Sequence, residues 1–124
     1  MGTVLGIMCG GAVGSALRYA VNLGLSDRFG TEFPYGTLVA NVTGCLLIGF
    51  LGTVLSGAWE VRDEVRLAIL VGGLGGFTTF SSFGAETLAL VEGGRFVAAL
   101  SYVTVSNVVG LGAVWFGSRV ADWL

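Results

Sequence analysis

Apolar positions run through this chain in four long blocks, about residues 4–25, 35–57, 65–91 and 96–118, and charged positions gather in the gaps between them. About 20 mostly apolar residues cross a bilayer core as a helix, so each block predicts a transmembrane helix. The connections are residues 26–34, the charged stretch 58–64 and the tight Glu92-Gly93-Gly94-Arg95. Every acidic residue except Glu86 falls in a connection or at the chain end. The blocks leave no stretch for a separate soluble domain. The expected fold is one all-α integral membrane domain over residues 1–124 with four transmembrane helices.

Polar and small residues inside the blocks refine this picture. Each interior Gly costs a soluble helix about 1 kcal/mol relative to Ala, but in a membrane small residues let helix backbones approach and pack. Gly6, Gly10 and Gly14 recur every fourth residue and form one smooth stripe; Gly36, Ala40 and Gly44 form another. Both stripes read as helix-packing surfaces. The third block holds Gly72-Gly73-Leu74-Gly75-Gly76-Phe77-Thr78-Thr79, four glycines in five residues followed by paired threonines. That run is expected to break the helix near the bilayer midplane. Freed backbone groups there must line a cavity, contact protein or bind an ion.

Composition agrees with a lipid-facing surface. The 124-residue chain is 11% charged, against about a quarter in soluble domains, and its mean hydropathy is +0.86. It has six basic residues, all Arg, and no His. Without Lys there is no phosphate-binding loop, and without His the commonest metal ligand and the usual proton switch near neutral pH are missing. A net charge of −2 excludes the basic footprint of a nucleic-acid binder. Cys9 and Cys45 lack metal-like spacing and read as buried small hydrophobes. The start of the chain lacks a signal peptide's basic region and the Ser or Thr at position 6 that myristoylation requires, so the first block is expected to persist as a helix. Asn41-Val42-Thr43 matches a glycosylation sequon, but inside the membrane that reading is discounted.

Arginine placement bears on orientation. With four spans, Arg62, Arg66 and Arg119 lie on one side, and Arg18, Arg28 and Arg95 on the other. Three against three gives the positive-inside rule no preference. A chain without a preferred orientation can pair with an inverted copy of itself.

Chemistry-bearing residues gather around the third block. Phe80, Phe83 and Glu86 follow the glycine run at spacings of three, near one helical face. Tyr102, Ser106 and Gly110 form a track at spacings of four on the last helix, and Asn41 lies within the second. An intramembrane ionisable group such as Glu86 is a functional hypothesis by default. Arg18 either snorkels to the interface or marks the electropositive mouth of an anion path.

Together these segments resemble the CrcB/Fluc family of fluoride channels. The resemblance rests on Gly10-Gly11-Ala12-Val13-Gly14-Ser15-Ala16-Leu17-Arg18-Tyr19, on Pro34-Tyr35-Gly36-Thr37-Leu38 with Asn41 and Gly44, and on Gly75-Gly76-Phe77-Thr78-Thr79-Phe80-Ser81-Ser82-Phe83 followed by Tyr102 and Ser106. It implies an antiparallel, dual-topology dimer in the cell membrane, either a homodimer or a heterodimer with a sister subunit, and passive leakage of cytoplasmic fluoride. Phe80 and Phe83 would be the pore phenylalanines and Asn41 the pore amide. Thr37, Ser81, Ser82, Glu86, Tyr102 and Ser106 would lie along the fluoride pathway, with Arg18 at its mouth. Backbone carbonyls of Gly75 and Thr78 would hold a structural sodium ion at the dimer interface. The chain departs from the pattern at Gly110, where a hydroxyl residue can occur. Two rival readings are a small multidrug-type, proton-coupled cation exporter and a non-transporting packing subunit. The first lacks an acid in the first block, and the second leaves Asn41, Glu86 and the phenylalanines unexplained.

Overall fold

The computed structural model describes all 124 residues, and the chain is helical throughout, without strands. Its elements are α1 (Gly2–Phe29), α2 (Tyr35–Val54), α3 (Asp63–Leu67), a π-helical segment (Ala68–Leu74), α4 (Gly75–Phe77), α5 (Phe80–Glu92) and α6 (Phe96–Ala121). Four helical stretches are long and apolar enough to cross a membrane: α1, α2, the composite Asp63–Glu92, and α6.

The ends differ from the hydropathy blocks for local reasons. α1 runs on through Ser26, Asp27 and Arg28, whose polar side chains end the apolar block without ending the helical hydrogen bonding; it stops at Gly30, at φ 79°. α2 ends at Val54, earlier than its apolar block, because the chain turns back and the Trp59 amide bonds to the Val54 carbonyl at 2.8 Å. α5 is closed by the Arg95 amide on the Leu90 carbonyl at 2.8 Å, with Gly94 at φ 73°.

Only 17 residues are buried. Long apolar side chains on all four spans face outward, including Leu5, Leu17, Ile48, Val71, Leu88, Leu100 and Trp115. In water such a surface would aggregate; in a bilayer it is the solvent-facing surface.

The interior is built from backbone approach. α1 lies against the π-helical segment and α4 along its glycine stripe. A Cβ on Gly10 would run into the Ala68 carbonyl, and one on Gly14 into the Gly73 carbonyl. α2 and α6 meet similarly, with Gly49 against the Val114 backbone and Gly117 against the Leu46 carbonyl. Small residues here serve packing, as membrane helices lacking a hydrophobic drive between them require.

The two chain ends of the bundle carry separate charge clusters. Gly2 lies beside the Glu64 carboxyl, which brings the N-terminus to the Asp63 end of the third span. There Arg62 pairs with Glu64 at 2.6 Å and Arg66 with Asp63 at 2.9 Å. At the opposite end Arg95 pairs with Glu32 at 3.6 Å.

Candidate functional site

Helical hydrogen bonding in the third span lapses at Thr78 (φ −87°, ψ 158°) and Thr79 (φ −154°, ψ 120°), both extended. The interruption lies within the expected Gly72–Thr79 run, but the glycines themselves stay helical, first as the π-helical segment and then as α4. Glycines need no special conformation there; their missing side chains admit α1. The interruption instead falls on two β-branched residues, whose stiff χ1 disfavours the helix.

An interruption leaves backbone groups that must find partners, and most of them do. The Asn41 amide clasps Thr79 twice: its Oδ1 accepts from the Thr79 N–H at 2.7 Å, and its Nδ2 donates to the Thr79 carbonyl at 2.9 Å. Arg18 Nη1 donates to the Thr78 carbonyl at 3.3 Å, and Ser15 Oγ to the Gly76 carbonyl at 3.5 Å. Thr79 caps α5, its hydroxyl accepting from the Ser82 amide at 3.2 Å. Ser82 Oγ lies 3.1 Å from that hydroxyl and Ser81 Oγ 3.3 Å. Asn41 thus replaces a neighbouring peptide group. A primary amide carries two N–H bonds and one is used here, so one donor remains.

Beside this clasp lies a cleft of about 360 Å³, lined in part by Asn41, Gly75, Thr78, Phe80, Phe83 and Ser106. The Ser106 hydroxyl is buried and has no hydrogen-bond partner. Such a group costs about 1–3 kcal/mol unless something binds it. Phe80 projects outward, 83% exposed, with its ring 5.5 Å from that of Phe83. Phe83 in turn lies 5.1 Å from the Tyr102 ring.

A second polar cluster joins three helices. Glu86 Oε1 accepts from Thr37 Oγ1 at 2.7 Å, and Oε2 accepts from Tyr102 OH at 2.6 Å. Thr37 and Tyr102 are fully buried, so the three residues tie α2, α5 and α6 together. The hydroxyls that Thr37 and Tyr102 were expected to offer a pathway are therefore turned toward Glu86. Gly110 is buried facing Cys45, and the donor track on α6 ends one turn before it, at Ser106.

Of the expected site residues, the cleft gathers Asn41, Phe80, Phe83 and Ser106 with Gly75 and Thr78. Thr37, Glu86 and Tyr102 form the adjoining cluster. Ser81 and Ser82 belong to the α5 cap, and Arg18 lies at the Thr78 carbonyl. Sequence reasoning placed Thr79 in the break but missed its role as the α5 cap, although a Thr opening a helix after a break is a cap signal. It also missed Phe33, whose ring stands edge-on to Tyr102 at 5.6 Å; a lone aromatic before a proline carries no such signal. Gly75 and Thr78 bear on a cation site in one respect. A Cβ on Gly75 would meet nothing within 4 Å, and the cleft lining holds no Asp or Glu, so the oxygens it offers are neutral. The Thr78 carbonyl keeps a lone pair beyond the one facing Arg18.

Four apolar spans beside an open, largely apolar cleft that carries a few polar groups next to an interrupted helix define a multi-pass helical membrane protein. The chain belongs to the CrcB family: the model of that family, described as CrcB-like protein, Camphor Resistance (CrcB), matches residues 5–118. It is similar to the fluoride-specific ion channel FluC of Chloroflexus aurantiacus, 44% identical over 123 residues that cover 99% of this chain and 98% of the relative. The protein of that name from Solibacter usitatus is 45% identical over 115 residues, 93% of this chain and 94% of the relative. The one from Acidobacterium capsulatum is 43% identical over 118 residues, 95% and 94%.

Proposed function

We propose that this chain is a subunit of a fluoride-selective channel in the cell membrane, which lets cytoplasmic fluoride leak out passively and limits its toxicity. It is a channel and not an enzyme. Membership of the CrcB family and relatives named as fluoride channels support the ion. The observation that carries the pathway is the partnerless Ser106 hydroxyl in the Asn41–Phe83 cleft.

Fluoride is small and strongly hydrated, so a dry path must replace its water with donors. Ser106 and the spare N–H of Asn41 supply them. The Phe80 and Phe83 ring edges carry positive charge density and add an attraction that ring faces could not. Neutral donors keep binding loose enough for the ion to leave, as conduction requires. Glu86 accepts from the Thr37 and Tyr102 hydroxyls and holds both in place.

The subunit pairs with an inverted second copy. The even arginine distribution supports this. The interruption at Thr78 and Thr79 then lies near the bilayer midplane, where two copies bring their broken spans together. Gly75 and Thr78 carbonyls from each copy would hold a sodium ion, a role unwound backbone serves in transporters; when bound, it would join the two subunits electrostatically. The positive charge of Arg18 beside Thr78 weakens that site.

The test is fluoride efflux from liposomes containing only this chain, with chloride as control. Fast fluoride loss with chloride retained supports the reading. Retention of both ions, or equal loss of both, sinks it.

A further inference from the structure

A second cavity, about 420 Å³, opens at the end of the bundle that carries the loop between α1 and α2. Asn22, Ser26, Glu32, Tyr35, Glu86 and Arg95 line it. Glu86 belongs also to the Thr37–Glu86–Tyr102 cluster, and the Tyr102 ring touches Phe83 on the wall of the cleft. The cavity and the cleft share no lining residue, and the Thr37–Glu86–Tyr102 cluster stands between them; we read the cavity as the approach to the cleft from this end of the molecule.

Its charged groups are two carboxyls and one guanidinium. Arg95 is held in place by donating to the backbone carbonyl of Glu32. The Glu32 carboxyl lies 3.6 Å from the guanidinium, and its side chain is 88% exposed. An ion pair so open to water contributes almost nothing to stability. The carboxyl is left as a negative charge at the entrance of what we read as an anion path.

We infer that Arg95 and Glu32 set the electrostatic potential of this mouth, Arg95 drawing anions in and Glu32 holding that pull down. The inference rests on the fluoride-channel reading. A mouth walled by low-dielectric protein focuses such fields and changes local ion concentration, and salt screens them over about 10 Å at 0.1 M. The pair therefore acts on fluoride entry at low ionic strength and loses its influence at high ionic strength.

The experiment measures initial fluoride efflux per protein from liposomes at about 10 mM and about 500 mM ionic strength. Glu32→Gln removes the charge and keeps the backbone acceptor; it is expected to raise the low-salt rate about threefold. Arg95→Gln is expected to lower it about threefold, with Arg95→Lys restoring the rate because it keeps the charge. At high salt all four proteins converge to within about 1.5-fold. Rates that do not respond to either charge, or that change equally at both ionic strengths, overturn the inference while wild-type efflux leaves the channel reading intact. Failure of the wild-type chain to pass fluoride overturns both.

Discussion

Residues 63–77 and residues 80–92 belong to one span, yet the first half meets its neighbours through backbone and the second through side chains. In the first half, Gly72, Gly73 and Gly76 bring the chain against the backbone of Ile7, Gly10, Gly11 and Gly14. In the second, Glu86 reaches Thr37 and Tyr102, Phe83 meets Tyr102, and Phe80 faces outward. Close backbone packing has no slack and fixes position. Side-chain contacts with a spare donor and an exposed ring leave chemistry available. Asn41 joins the two regimes by pairing with the Thr79 backbone where the helix cannot.

The largest effects are expected where slack is least. Gly14→Val would drive its side chain into the Gly73 carbonyl, and the protein should fail to give a monodisperse peak on size exclusion; overpacking of this kind costs about 1–3 kcal/mol or more. Gly24→Ala and Gly84→Ala, where an added Cβ meets nothing within 4 Å, should fold normally. If the Gly14 variant folds as well as these two, the backbone-packing half of the comparison is wrong.

Asn41→Ala comes next, because it leaves a Thr79 N–H and carbonyl unpaired at about 1–3 kcal/mol each and also removes a donor from the path we propose. We expect lower thermal stability in detergent together with at least about a hundredfold lower fluoride efflux, two decades being about 2.7 kcal/mol. Lost efflux at unchanged stability would assign Asn41 to the ion alone.

Phe80→Ile and Phe83→Ile separate shape from ring electrostatics. Each should lower efflux about tenfold, equivalent to about 1.4 kcal/mol, without loss of folding. Their stabilities should differ, since Phe83 packs on Tyr102 and Phe80 within one chain touches little beyond Phe83. Wild-type efflux in both variants would make the rings structural.

The smallest change is Gly110→Ser. Its Cβ would lie 3.5 Å from Cys45 Sγ, an ordinary contact, so folding should be intact. It adds one donor a turn beyond Ser106, and efflux should shift by no more than about twofold. A larger effect would place the path along α6 past Ser106.

Much of this was legible in the residues alone. Four spans follow from the length and apolarity of four blocks, because a bilayer demands both. The two glycine stripes announced packing faces, since nothing else makes small residues recur every fourth position, and Glu86 stood out as an ionisable group among apolar ones. Pairwise detail was not legible. Periodicity assigns a side chain to a face of its own helix and says nothing of which donor finds which acceptor on another. Asn41 could have offered its amide to an ion or to Thr79, and Tyr102 its hydroxyl to an ion or to Glu86; only the approach of α2 and α6 to the third span decided each. The same holds for the interruption. Glycine and threonine are both poor helix formers, so composition located a weak stretch of eight residues without choosing within it. Contact with α1 kept the glycines helical, and the Asn41 clasp made the extended backbone at Thr79 affordable. What the sequence determined by itself is what each residue must satisfy in a bilayer. Which partner satisfies it is a long-range matter, settled by helices that meet across dozens of residues.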